Sequence, residues 1–475
     1  MKISLVKTVC IASLFSLLAS LASEARDLDH KNENSLFIRN VTIIPMTGGN
    51  ERIANVSVEV RRGKVVKISR QFRTIRCSAR NNCIDGRGKW LIPGLTDSHV
   101  HIENDRMLQL YMGLPQEPEG AVSTSDMGVP FIANGVTQVF NLSAMRETFR
   151  QNEEIASGRA IGPRIITAYM LDGARPILPE GIAHGVANPE AGRQAVRDAK
   201  REGYDLIKVY SLLDTQTFLA IVDEAKKNDL KVVGHIPGRE QGKIEDYFVS
   251  GFSAVAHAEE FALQTSEPDE GKIQAYVALA KNNGTALMTT LTLDERILEE
   301  TENPDSLKNR SDLDHLNPML HAIVHNHNPY VAQSSPDRVL WLKKIVRFNQ
   351  KLVKAFSEAN LSILAGSDSP VPGLAPGFAL IDELEALVRS GLTPYQAIYS
   401  ATKAPCDWLG SKCGTIAVGR NADLLLLDAD PTLNISNIRR LSSVIANGRL
   451  YSKAELDQKM QLLRNRVSPP NNTGH

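Results

Sequence analysis

Between about residue 93 and residue 405 the chain alternates short apolar stretches with amphipathic ones, and this alternation constrains the fold more than any other feature. The apolar stretches lie near 97–101, 136–141, 163–168, 205–210, 231–235, 253–257, 285–289 and 361–367. Each is short enough to be a buried strand, and several carry glycine or polar residues at their margins. The segments between them, such as Glu190 to Glu202 and Thr215 to Asn228, repeat apolar residues at helical spacing. Strands that alternate with helices pair in parallel, because each helix carries the chain back to where the next strand can start in the same direction. Eight such units predict a (β/α)8 TIM barrel, with its functional groups at the C-terminal ends of the strands. The segment at about 300–340 is polar and poor in pattern, and it reads as loop.

Both flanks of this middle are β-rich. Val56-Ser57-Val58-Glu59-Val60 alternates apolar and polar residues, meets a turn at Arg61-Arg62-Gly63, and continues as Val65-Val66-Lys67-Ile68. Near the other end, Leu424 to Leu427 reads as a buried strand and Val444 to Gly448 as a strand entering a turn. One small β-sandwich built from 26–92 and 406–466 is therefore expected beside a barrel of 93–405, with 467–475 a disordered tail. Residues 1–25 read as a signal peptide: Lys2 and Lys7 precede an apolar run from Val9 to Ala22, and Ser23 and Ala25 suit cleavage. Export to a periplasmic or secreted location follows, and the cysteines agree. Cys77 and Cys83, and Cys406 and Cys413, are close pairs that read as local disulfides in an oxidising compartment. A formal net charge of zero and the lack of a basic cluster exclude nucleic acid as a partner, and no long apolar segment follows the leader to hold a membrane. A small-molecule substrate is the expected partner, with a homo-oligomer left open.

Chemistry enters at Pro93-Gly94-Leu95-Thr96-Asp97-Ser98-His99-Val100-His101. Alternation along a strand puts Asp97, His99 and His101 on one side. Two neutral imidazoles so placed can hold one divalent ion, and Zn²⁺ suits such donors. Chance alone also produces His-x-His, so the remaining strand ends decide. Lys208, His235, His257 and Asp368 each fall at or just beyond the end of a predicted strand. Six ligand-type residues on strands 1, 4, 5, 6 and 8 describe a metal centre better than a set of separately satisfied core residues.

With these residues in place, the chain resembles the metal-dependent amidohydrolase superfamily, in its imidazolonepropionase-like and exported dipeptidase-like branch. The resemblance runs from Leu91 to His101 at one end to Gly414-Thr415-Ile416-Ala417-Val418-Gly419-Arg420-Asn421-Ala422-Asp423-Leu424 at the other. It implies that His99, His101 and Asp368 hold one metal, that His235 and His257 hold a second, and that a carboxylated Lys208 bridges two Zn²⁺ ions per chain. Other divalent metals fit the same donors. Metal-bound water with a pKa near 7 would provide a hydroxide nucleophile, and Asp368 would move the proton to the leaving amine. A lysine beside two dications is biased to its neutral amine, the form that captures CO₂. Asp97 is placed to orient the histidines. Tyr210, two residues beyond Lys208, faces the same side and reads either as a donor to the substrate oxyanion or as a packed tyrosine of the rim. Arg175 and His184, in the loop after strand 3, are candidates for a substrate carboxylate. His321, His325 and His327 lack a strand frame and read as a lid or plain surface. Prolidase-like members carry a second histidine just after that of strand 5; here Ile236-Pro237 follows His235, which departs from Xaa-Pro specificity.

The function expected is metal-dependent hydrolysis of an amide bond, in a dipeptide or an N-acyl amino acid. Two alternatives stand beside it: a mononuclear deaminase or cyclic-amide hydrolase, and a non-catalytic metal- or ligand-binding barrel.

Overall fold

The computed structural model describes residues 35–70, 77, 82–237 and 243–467; the leader at 1–25 and the tail beyond 467 lie outside them. Eight parallel strands form the barrel in chain order: Leu95–Val100, Val136–Asn141, Arg164–Asp172, Leu206–Val209, Lys231–Gly234, Phe252–Ala256, Ala286–Met288 and Ile363–Leu364. They are barrel strands 1 to 8 below. Strand 8 meets strand 1 through backbone bonds from Ser98 N–H to Ala365 O (2.9 Å), Asp368 N–H to His99 O (2.8 Å) and His101 N–H to Ser369 O (2.8 Å).

Period-two alternation sorts these strands into an inner and an outer layer. Phe140, Ala168, Leu206, Val233, Ala254, Met288 and Leu364 pack on one another inside the barrel. Their neighbours Val139, Ile207, Val232, Val255 and Leu287 face the helices instead. The helices start where the sequence offers caps. In Pro189–Glu202, proline takes the first turn and the Asn188 side chain accepts from Ala191 N–H, satisfying a donor that the first turn leaves free.

Both flanks of the barrel join in one eight-stranded sheet, in which Trp90–Pro93 pairs in parallel with Ser35–Ile43 and antiparallel with Leu424–Leu427. The four leucines of the last strand divide by parity. Leu424 and Leu426 join Ile38, Val58 and Ile445 in the sheet's own core, whereas Leu425 and Leu427 join the barrel-side core. Each leucine so buried contributes roughly 2 kcal/mol of transfer free energy before entropy is counted. The strands expected at 285–289 and 361–367 are shorter, at Ala286–Met288 and Ile363–Leu364, although backbone bonds between the end of the barrel and strand 1 continue to Ser369.

The segment expected as loop at 300–340 is helical over much of its length, with Pro318–Asn326, Pro329–Ala332 and the start of Pro336–Glu358. The physical reason is capping: Asn317, Asn328 and Ser335 each precede a proline and accept a backbone N–H of the first turn. His321 and His325 thus lie one turn apart on a helix, with ring centroids 4.2 Å apart. Cys77–Cys83 and Cys406–Cys413 are disulfide-bonded, and no helix among the described residues is long and apolar enough to cross a membrane.

At the barrel closure, a Cβ added to Gly366 would lie 2.8 Å from His99 Cβ and 3.0 Å from His99 N, so strand 8 can approach strand 1 this closely only with glycine there. Gly366→Ala is expected to destabilise the protein by about 1–3 kcal/mol, read as a lower denaturant midpoint with unchanged slope. An unaltered midpoint would mean that the two strands separate without cost.

Candidate metal centre

Strand parity places Lys208 and His235, and a left-handed backbone marks both His257 and Asp368. Leu206 and Lys208 share the inward face of strand 4, and Val233 and His235 share that of strand 5. His235 is aimed by the glycine before it: a Cβ on Gly234 would fall 2.0 Å from Val209 O of the neighbouring strand. By alternation His257 should face outward with Val255. Its φ of 74° breaks the register, and its ring instead lies with centroids 4.5 Å from that of His99 and 5.0 Å from that of His235. Asp368, with φ 62°, is likewise in the left-handed region that side chains seldom adopt. Such strain persists only where surrounding contacts hold it, and both residues sit at the mouth of the barrel.

His99, His101 and Asp368 form one tight group, with their ligand-type atoms within 4.8 Å of one another. The Nε2 atoms of His99 and His101 lie 3.1 and 2.9 Å from the same Asp368 oxygen. Even so, His99 Nε2 and Asp368 Oδ1 are buried and make no well-formed hydrogen bond, and neither does His99 Nδ1. A buried polar atom without a partner costs about 1–3 kcal/mol. Lone pairs converging on a common point from nitrogen and carboxylate donors are the chemistry of a divalent-metal site, and the residues fit such an ion.

The three other imidazoles are held from their far sides. Each Nδ1 meets a hydroxyl from the end of a neighbouring strand: His101 with Ser143 Oγ at 2.6 Å, His235 with Ser211 Oγ at 2.8 Å, and His257 with Thr290 Oγ1 at 2.9 Å. Glu260 adds a carboxylate 3.2 Å from His235 Nδ1 and accepts from Ile236 N–H at 3.0 Å. With Nδ1 engaged, each Nε2 is left to face the centre. These four supporting residues escape a reading from sequence, since each is a lone polar residue borrowed from another strand. Only Glu260, three residues beyond His257, has a positional signal.

Electrostatics agree with a ligand role. Burial, reinforced by the nearby Lys208 and histidines, drives His99 well below the usual histidine range, so its ring is neutral. Lys208 is 1% exposed, and among the described residues its amine makes no ion pair or hydrogen bond. Burial pushes it down to about 8, against the opposing pull of Asp368 and Glu260. Burial also raises Asp368, but the contact with His101 and the field of the histidines and Lys208 outweigh it, and its carboxyl ends below the usual range.

The other sequence-predicted residues fall as follows. Tyr210 packs its ring 4.1 Å from that of His235, and burial, then Asp368, raises its phenol, so it stays protonated at neutral pH. Asp97 contacts no imidazole; it accepts from His99 N–H (3.2 Å), Ser367 N–H (2.9 Å) and Ser367 Oγ–H (2.6 Å), and so ties the backbones of strands 1 and 8. Arg175 is exposed. His184 stacks on Tyr169 at 4.2 Å, in the helix-facing layer, and lies 3.5 Å from Glu180.

Glu260→Gln should weaken divalent-metal affinity by about 10–100-fold, because an imidazole loses its anionic support. Chelator competition on the folded variant measures this, and an unchanged affinity would remove Glu260 from the centre.

Comparison with known proteins identifies the family and the fold. The model of the amidohydrolase family matches residues 90–451. The bottromycin amidohydrolase has a similar structure, with TM-score 0.71 at 20% identity over 91% of either chain. A prolidase-type structure from Bifidobacterium longum gives 0.65 at 21% identity over 90% of this chain and 99% of that one. The A. niger ochratoxinase gives 0.66 at 19% identity over 88% and 96%. At such identities these likenesses establish the fold. In sequence, an adenine deaminase of Desulforamulus reducens is 23% identical over 241 residues, which is 50% of this chain and 37% of that enzyme.

Proposed function

The chain belongs to the amidohydrolase family, and we propose that it hydrolyses an amide bond, in a dipeptide or an N-acyl amino acid, at a centre for two divalent metal ions. It is a hydrolytic enzyme acting on carbon–nitrogen bonds. The observation that carries the proposal is the convergence of His99 Nε2, His101 Nε2 and Asp368 Oδ1, of which the first and last are buried without a well-formed hydrogen bond. His235, His257 and Lys208 would hold the second ion.

Divalent ions at this centre would supply Lewis acidity and lower the pKa of a water towards 7. The remaining work falls to the chain's own groups. Asp368, kept anionic by its cationic surroundings, takes the proton of the attacking water and returns it to the leaving amine. Tyr210, kept protonated by burial, donates to the carbonyl oxygen as charge develops on it. Lys208, whose amine burial biases towards the neutral form, would add CO₂ with release of one proton and offer the resulting carboxylate to the ions. Arg175, exposed in the loop after strand 3, meets the substrate carboxylate, and His184, fixed on Tyr169, steadies that loop. The two disulfides support export to an oxidising compartment.

A second reading has one observation in its favour. The three-residue group His99, His101 and Asp368 is complete with a single ion, as a mononuclear deaminase or cyclic-amide hydrolase would need. Stoichiometry separates the two. Lys208→Ala should lose one of two bound ions and most of its turnover of dipeptides and N-acyl amino acids while remaining folded, since function rather than stability concentrates at this end of a barrel. A short carboxylic acid should restore part of that turnover, and Lys208→Arg should restore none, because a guanidinium does not form a carbamate. Retention of two ions and near-normal turnover in Lys208→Ala would sink the binuclear proposal.

A further inference from the structure

Few large apolar side chains stand exposed among the described residues, and four of them gather beside the mouth of the barrel: Tyr111 (45%), Met112 (37%), Ile177 (57%) and Leu212 (53%). They come from three segments that follow strands 1, 3 and 4, on the same end as the metal ligands. The segments are fastened to one another. The buried Asp172 carboxylate accepts from Ile177 N–H at 3.0 Å and from Leu212 N–H at 2.7 Å, so one side chain sets both residues. The helix Asp105–Met112 packs Leu110 with Leu178 and Ile182 of the second segment, which leaves Tyr111 and Met112 outward.

This patch adjoins the chemistry. Tyr111 lies within electrostatic reach of the Asp368 carboxylate, and Tyr210 lies within reach of both Asp368 and Tyr111. Arg175 belongs to the same loop as Ile177, two residues away. Exposing four large apolar residues costs solubility and gains no packing, so a set of them on three linked segments next to a site calls for an occupant. A site that is polar at its metal end and apolar at its rim suits a ligand with the same two ends.

We propose that Tyr111, Met112, Ile177 and Leu212 form a subsite for a large apolar group flanking the scissile amide, so that the enzyme's substrates are carboxylate-bearing amides with a long acyl chain or a bulky apolar side chain. This rests on the reading of the chain as an amide hydrolase, and it names the substrate class of that same site. Small polar dipeptides reach the metal centre but leave the rim bare.

The test uses two series on the metal-loaded protein, N-acetyl, N-hexanoyl and N-decanoyl glycine, and N-acetyl glycine, leucine and phenylalanine, with binding measured by calorimetry and turnover measured separately. Affinity is expected to tighten by about tenfold or more along at least one series, as for several half-buried methylenes. The doubly substituted variant Ile177→Ser with Leu212→Ser is expected to flatten that gradient with metal content and unfolding midpoint unchanged, whereas Leu433→Ser, a 75% exposed leucine elsewhere, should keep it. A flat wild-type response in both series, or a gradient that survives the double substitution, overturns the proposal. So does a flat response accompanied by sedimentation with lipid vesicles, or by dimer formation that the double substitution abolishes, since the patch would then serve a membrane or a second copy. A binding gradient without any amide turnover would uphold the subsite and defeat the hydrolase reading instead.

Discussion

The arrangement depends on one buried carboxylate, that of Asp97, which closes the barrel. It is fully buried and accepts three hydrogen bonds, from the backbone of its own strand at His99 and from the backbone and hydroxyl of Ser367 on the facing side. Burial nevertheless raises it to about 7, so those bonds only partly offset the loss of water. What they achieve is positional. Ser367 precedes Asp368, and pinning Ser367 to strand 1 sets Asp368 Oδ1 against the imidazoles of His99 and His101. The closure of the barrel and the assembly of the metal group are one structural event, helped by the absence of a side chain at Gly366.

The frame and part of the centre were legible in the sequence because they follow parity. Strand residues that alternate inward and outward give a barrel interior of Phe140, Leu206, Val233 and Leu364, and they put Lys208 and His235 on the same face one step further on. His257 shows where parity ends. Counted from Val255 it should face the helices, and only its left-handed backbone turns it to the centre, a distortion that no pattern of residue types announces. Ser143, Ser211 and Thr290 were invisible for another reason. Each matters only because of a neighbouring strand, and pairing between strands is not written in local sequence. The helices at 318–358 were different again. Their signals were present, an asparagine or serine followed by proline three times over, but the weak apolar periodicity between them hid the starts.

The left-handed backbone at His257, Thr290 and Asp368 and the partnerless nitrogens of His99 are costs in the protein alone. They lie together, at the end of the barrel opposite to the sheet-facing core, while the distributed burial of the barrel and the eight-stranded sheet carries stability. A fold that concentrates its unsatisfied groups at one point leaves them available to a ligand, and a metal that binds there stabilises the folded chain by mass action. The hydroxyls on the far sides of His101, His235 and His257 belong to the same economy, since they fix rings that would otherwise rotate away from the centre.

Lys208 is the sharpest remaining constraint. An ammonium in this position, 1% exposed and without an ion pair among the described residues, would be among the most unfavourable groups in the protein. Asp368 and Glu260 favour the charged form, yet burial prevails and the amine ends near 8. The two carboxylates are also committed elsewhere, Asp368 to the histidines of strand 1 and Glu260 to His235 and Ile236. A lysine kept only for packing would be replaced at lower cost by leucine or methionine, which fill similar volume without an amine to desolvate. Its place on the inward face, between the two pairs of histidines along the barrel wall, suits the proposed chemistry of a neutral amine, which CO₂ would convert, with release of one proton, to an anion that two cations would share.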